Sequence, residues 1–235
     1  MRVLDHVGTL RGNGNAICLW PTNIVGNMEP SLLRAETVRR FSDWGLIPNE
    51  GLPLVEGWAD LTPKLADQVA TRTVAASYVA SRCFGAPLER VKAEVERFGL
   101  WSHLTEEEKK LFTQDGLTTQ AQAYHSWIIE SIQFMAWAMN LAKLNHLEPC
   151  DERLADLLPR GTDPTDFINS ARLRPRDEIK QESDTLYMLH WRAVESNIDQ
   201  SSNDLVVLPR VSFRRHASDW IIGTADNWDD VAMDT

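Results

Sequence analysis

The stretch TTQAQAYHSWIIESIQFMAWAMNLAKLN, Thr118 to Asn145, is the most apolar part of the chain and decides its fold. It predicts a helix roughly 40 Å long if continuous at 1.5 Å per residue. A helix so apolar belongs at the centre of a core. Its most apolar part, WIIESIQFMAWAMNLA from Trp127, is interrupted by Glu130, Gln133 and Asn140 and is too short to span a bilayer.

Working outward, the flanking sequence also reads as helices. Towards the N-terminus, SLLRAETVRRFSDW places Leu33, Val38, Phe41 and Trp44 near one face before Gly45 stops the helix. IPNEGLPL, Ile47 to Leu54, has two prolines and predicts an extended connection with its leucines packed inward. Thr62 and Pro63 predict the cap and first turn of an alanine-rich helix that runs to Gly85. Leu88, Val91, Val95 and Phe98 predict a surface helix, and Thr105 to Glu108 reads as a capping box.

Beyond Asn145 come a helical turn around Leu154 to Leu158, a Pro/Gly/Asp connection, and a charged helix from about Asp177 to Asp199. The last helix starts or bends at Pro209 and runs to Ile222. The first thirty residues differ, since RGNGN, Arg11 to Asn15, separates two short apolar runs and predicts a small β-hairpin. The fold expected is therefore mainly α. It is a single helical domain over residues 31–235 around a central apolar helix, with an N-terminal extension over 1–30.

Composition narrows the function classes. With 34 acidic and 24 basic residues the net charge is −10, which disfavours nucleic acid and anionic membranes as partners. The N-terminus lacks the uninterrupted apolar run of a secretory signal, so a cytoplasmic location is expected. Cys18, Cys83 and Cys150 are widely spaced and form no C-x-x-C pair, so neither a disulfide framework nor a thiolate zinc site is expected. No cofactor fingerprint or H-x-x-x-H metal pattern is present.

The motifs HSWIIESIQFMAWAM, LHWRAVE, RRHASDWIIG and WDDVAMDT occur in that order. Their order resembles an uncharacterised bacterial family catalogued as domain of unknown function 4272. That family carries a W-x-x-E helix, an alanine/tryptophan run, a histidine-tryptophan helix, an R-x-x-A-L-N-W-L helix and a W-D-D-V-x-T-D-T ending. The resemblance covers Leu33 to Thr235, and Trp228, Asp229, Asp230, Val231, Asp234 and Thr235 fall in register. Asp219 stands where the family has asparagine, Ser218 where it has leucine, and Val194 where it tends to have arginine. The family brings no established activity.

Three constellations could carry chemistry. Glu130 shares a helical stripe with Trp127, Phe134 and Trp137, which predicts a buried carboxylate paired with an arginine such as Arg72 or Arg214. The competing reading is a general acid or base in a cleft. His190 beside Trp191 is expected to be a hydrogen-bonded histidine, the alternative being a ligand or proton shuttle. The basic cluster Arg210, Arg214, Arg215 and His216 precedes a tail with Asp226, Asp229, Asp230 and Asp234, so the tail is expected to fold back on Trp228 with its carboxylates meeting arginines or helix N-termini. A magnesium or calcium site at the aspartates is the weaker reading, because Asp229 and Asp230 point apart in an extended chain.

Two functions follow. The favoured one is a non-enzymatic cytoplasmic interaction or regulatory protein, such as an immunity protein, with a protein partner. The alternative is a small-molecule enzyme or sensor whose pocket is lined by Trp127, Glu130, His190, Trp191 and Arg214.

Overall fold

The computed structural model describes residues 29–54, 61–198 and 205–234. The expected hairpin at Arg11 to Asn15 lies outside them, and no strand occurs among the described residues. The architecture is helical. Pro30–Asp43 forms α1, Ala66–Cys83 α2, Leu88–Arg97 α3, Glu106–Lys110 α4, Thr119–His125 α5 and Ile128–Ala138 α6. Thr165–Ser170 forms α7, Arg176–Ile198 α8 and Leu208–Ile222 α9. Three 3-10 turns, Leu100–His103, Leu154–Leu157 and Trp228–Asp230, punctuate the connections. Among the described residues no helix is long and apolar enough to cross a membrane.

The helices stack in a defined order. α1 packs on α8, α8 on α9, α9 on α6, and α6 on α2, which also carries α3 and α7. Small residues at Ala70, Ala75, Ala76 and Ala80 let α2 come close to its neighbours, and all four are buried. Every residue of α6 except Ile129 is buried, as a helix clasped between two others must be.

The stretch from Thr118 to Asn145 is not one helix. Hydrogen bonds at its middle tighten from i−4 to i−3, with the Trp127 amide on the Tyr124 carbonyl at 3.2 Å and the Glu130 amide on the Trp127 carbonyl at 2.9 Å. The axis is thereby interrupted between α5 and α6. At the far end Asn140 adopts φ 64°, the left-handed conformation that asparagine tolerates. Its amide binds the Trp137 carbonyl and the Leu141 amide binds the Ala136 carbonyl, both at 2.9 Å, the Schellman closure of a helix. Arg174 Nε donates to the same Trp137 carbonyl at 2.7 Å, and the Arg174 amide takes the Ala138 carbonyl at 2.8 Å. Residues 141–151 are therefore loop, where sequence periodicity predicts helix up to Asn145.

Two further expectations change. Thr62 and Pro63 do not start α2, because the Lys64 amide is drawn to the Ile221 carbonyl at 2.9 Å and holds 61–65 out of the helix, against the end of α9. Gly223, with φ 92°, permits that approach, since a Cβ there would lie 2.1 Å from the Thr62 carbonyl oxygen. In the Ile47 to Leu54 connection the leucines are not the anchors, for Leu52 is only half-buried and Leu54 is exposed. Instead Arg34 binds the carbonyls of Leu52 and Pro53 at 2.7 and 3.1 Å.

The capping box at Thr105 to Glu108 forms as expected, with the two reciprocal bonds at 3.0 and 3.1 Å. α8 departs most from the usual pattern, because Lys180, Gln181, Glu182, Ser183, Asp184 and Thr185 are all buried. Six consecutive positions sweep right round a helix, so some must face each neighbour. Their partners are polar: Asp184 accepts from Arg34 through both oxygens at 2.9 to 3.2 Å and from Thr37 at 2.6 Å, and Gln181 donates to the Leu33 carbonyl at 3.0 Å. The α1–α8 interface is thus specified by charge as much as by shape.

Candidate functional site

Arg210 and Arg214 are four residues apart on α9 and so share one face, which is turned towards α6 and the loop that follows it. Arg214 donates to Glu130 Oε2 from Nε at 2.9 Å and from Nη2 at 2.6 Å, with both side chains almost wholly buried. Arg210 Nε stands 3.5 Å from the other oxygen. Glu130 is accordingly paired, as its aromatic stripe required, and the partner is Arg214 rather than Arg72.

The pair does more than neutralise itself. Arg214 also donates to the carbonyls of Asn145 and Glu148 at 2.6 and 2.9 Å, and Arg210 to that of Leu147 at 2.9 Å. Gln133 donates to the Lys143 carbonyl at 2.5 Å and accepts from the Asp151 amide at 3.0 Å. Buried side chains from α6 and α9 therefore satisfy the backbone of residues 143–151, which has no regular secondary structure to do so. A buried ion pair contributes little net stability against an apolar replacement, and here the remaining donors of Arg214 are directed at the carbonyls of this loop.

That loop walls a cleft of about 1100 Å³ between itself, α1 and α8. His146, Glu182, Arg40, Trp44, Lys143 and Cys150 are among its lining. His146 Nε2 lies 2.5 Å from Glu182 Oε2, while Arg40 donates to Glu182 Oε1 at 2.7 Å. Burial opposes ionisation of Glu182, but His146 and Arg40 outweigh it and hold the carboxyl down at about 2. The Trp44 indole meets the His146 ring edge-on, their centroids 5.6 Å apart. Burial, first, and the Glu130 charge raise the Cys150 thiol, so it is not an activated nucleophile.

The residue next to Arg214 serves another place. Arg215 Nη1 donates to His190 Nδ1 at 2.7 Å, Nε to Asp219 at 3.1 Å and Nη2 to the Asp234 carbonyl at 2.9 Å. Burial and the adjacent guanidinium push His190 down to about 4, which makes it a neutral acceptor. Burial pushes Asp219 up to about 6 against the pull of Arg215. Successive residues on a helix are turned by about 100°, so Glu130 and His190 meet different arginines and do not converge. Neither His190, Trp127 nor Trp191 lines the cleft, and both tryptophans are half-buried. Of the five residues expected to form one pocket, only Arg214 lines this one, with Glu130 directly behind it.

The tail is docked, but not by its carboxylates. Trp228, half-buried, lies 4.2 Å under the Arg72 guanidinium, 4.5 Å from the His216 ring and 5.4 Å from Trp220. Lys64 binds the Asp226 carbonyl at 3.0 Å, so main-chain oxygens take the cations. Among the described residues Asp229, Asp230 and Asp234 form no ion pair, and Asp230 accepts from Asn227 at 2.8 Å. The tail is held by an aromatic stack and its backbone because its aspartate side chains are exposed to water. Among the described residues no three His, Cys, Asp or Glu side chains gather as a metal site.

Sequence reading missed Arg40, Trp44, His146 and Glu182. A signal for Glu182 existed in the unbroken polar run KQESDT, since six consecutive positions sweep round a helix and some must face the core. His146 had none, because its position depends on the loop being a loop.

The chain belongs to the family described as domain of unknown function (DUF4272), whose model matches residues 34–231, a span that includes the cleft and most of the docked tail. No curated protein and no solved structure matches the chain.

Proposed function

We propose that this member of the DUF4272 family binds a small molecule in the cleft between α1, α8 and the loop of residues 143–151, and works as a small-molecule enzyme or sensor. One observation carries the reading. Glu130, Arg214, Arg210 and Gln133 direct hydrogen bonds from the buried interior onto a single loop, and that loop presents His146 to the cleft. Fixing a loop before a ligand arrives lowers the ordering cost of binding. The reading takes precedence over a non-enzymatic interaction protein because the invested polar groups converge on a concavity, the usual shape of a small-molecule site, rather than on a flat face.

A thermal-shift screen of small metabolites tests it. A ligand present at a hundred times its Kd adds about 2.7 kcal/mol to stability. For a domain of this size that is a rise of roughly 5 to 11 °C in melting temperature. The rise should shrink for Trp44→Ala and Lys143→Ala, which alter the cleft. Hits that stabilise both variants as much as the parent, or a screen without hits, would count against the cleft.

A further inference from the structure

We propose that His146 is the proton acceptor of the cleft, taking a proton at Nδ1 from a ring-bearing small molecule with an acidic O–H or N–H. The inference rests on the cleft being a ligand site and names the ligand's chemistry. His146 is 5% exposed and lines the cleft. Its Nε2 is committed to Glu182, whereas Nδ1 is buried and has no hydrogen-bond partner among the described residues. A buried polar atom left unpaired costs about 1 to 3 kcal/mol, and a ligand that supplies the missing partner recovers it.

The ring cannot readily turn to find another partner. Glu182 is itself held by Arg40, and the carbonyls on either side of His146, those of Asn145 and Leu147, are bound by Arg214 and Arg210. A carboxylate on one imidazole nitrogen fixes the tautomer, leaves the other nitrogen as a base, and stabilises the imidazolium once it forms.

The ligand class follows from the neighbours. Trp44 offers a half-exposed aromatic wall and packs on the same imidazole, so it is the side chain that must yield to admit a ring. Lys143 is exposed at the cleft and forms no ion pair among the described residues, which leaves its charge for an anion. In the step inferred, the ligand's O–H or N–H bond breaks, the electron pair stays on that oxygen or nitrogen, and the proton binds Nδ1. Glu182 balances the imidazolium and Lys143 the new anion. Nothing is oxidised or reduced.

4-Nitrophenol is the probe, used below its own pKa with the full chain, since ionisation turns it yellow. The parent should raise the phenolate absorbance on binding, His146→Gln should lose that rise, and Glu182→Gln should reduce it several-fold. Melting curves establish that the variants fold. Calorimetric binding without phenolate overturns proton transfer and leaves the cleft reading standing. Phenolate that survives His146→Gln overturns the assignment of the acceptor, and no calorimetric binding overturns the ligand class. Nitrogen-15 spectra of the imidazoles need no ligand: His146 should carry its proton on Nε2, and a proton on Nδ1 overturns the inference outright.

Discussion

The guanidinium of Arg72 sits 4.2 Å above the indole of Trp228 while its two terminal nitrogens grip Glu108 at 2.6 and 2.8 Å. One arginine of α2 thus joins the capping box of α4 to the C-terminal tail. Trp228→Ala removes both the cation–π contact and the half-buried indole, a loss of about 2 kcal/mol. The melting temperature should fall by roughly 4 to 8 °C. A change within about 0.5 kcal/mol would mark the tail as a surface arm.

Removing one partner of the Glu130–Arg214 pair should be severe. Glu130→Ala leaves a guanidinium 1% exposed without its counter-charge, a cost of about 3 to 5 kcal/mol. The double change Glu130→Leu with Arg214→Met should recover much of that stability. It should not restore the loop, whose amides over residues 143–151 are expected to exchange with deuterium roughly tenfold faster. A double variant with native loop protection would refute the strap.

Acid should weaken the fold through two histidines. Burial and the charge of Arg215 lower His190 to about 4, and burial and Arg72 lower His216 to about 4, from an ordinary value of 6.5. The folded state therefore rejects protons that the unfolded chain accepts, so this stability is complete above pH 6.5 and is lost as pH falls towards 4. Asp219, raised to about 6, works in the opposite direction over part of that window. Urea melts from pH 4 to 7.5 should show stability falling less steeply towards acid in His190→Gln than in the parent. A slope unchanged by the substitution contradicts the assignment.

Two glycines with the same φ should respond differently to alanine. Gly85 and Gly223 both have φ 92°, but a Cβ at Gly85 meets nothing within 4 Å, whereas one at Gly223 strikes the Thr62 carbonyl. Gly85→Ala should cost about 1 to 2 kcal/mol, the strain of a left-handed residue alone. Gly223→Ala should cost clearly more, on the order of 3 kcal/mol or above, because backbone has to move. Equal melting temperatures would mean that the 61–65 segment does not rest on the end of α9.

What the sequence determined by itself was the helical class, the burial of all but one residue of Ile128–Ala138, the capping box at Thr105 and the need of Glu130 for an arginine. Each depends on local periodicity or on the cost of burying a charge, and both are written along the chain. Tertiary structure decided the rest. The helix stops before Asn140 because Asn140 takes a left-handed turn and Arg174 donates to the terminal Trp137 carbonyl. Arg214 and Arg215 part company because α6 and α8 lie on different sides of α9. His146 reaches Glu182 across 36 residues because the loop carrying it is strapped from beneath. Contacts between segments far apart in sequence leave no periodic trace, since each residue satisfies only a partner that folding brings to it.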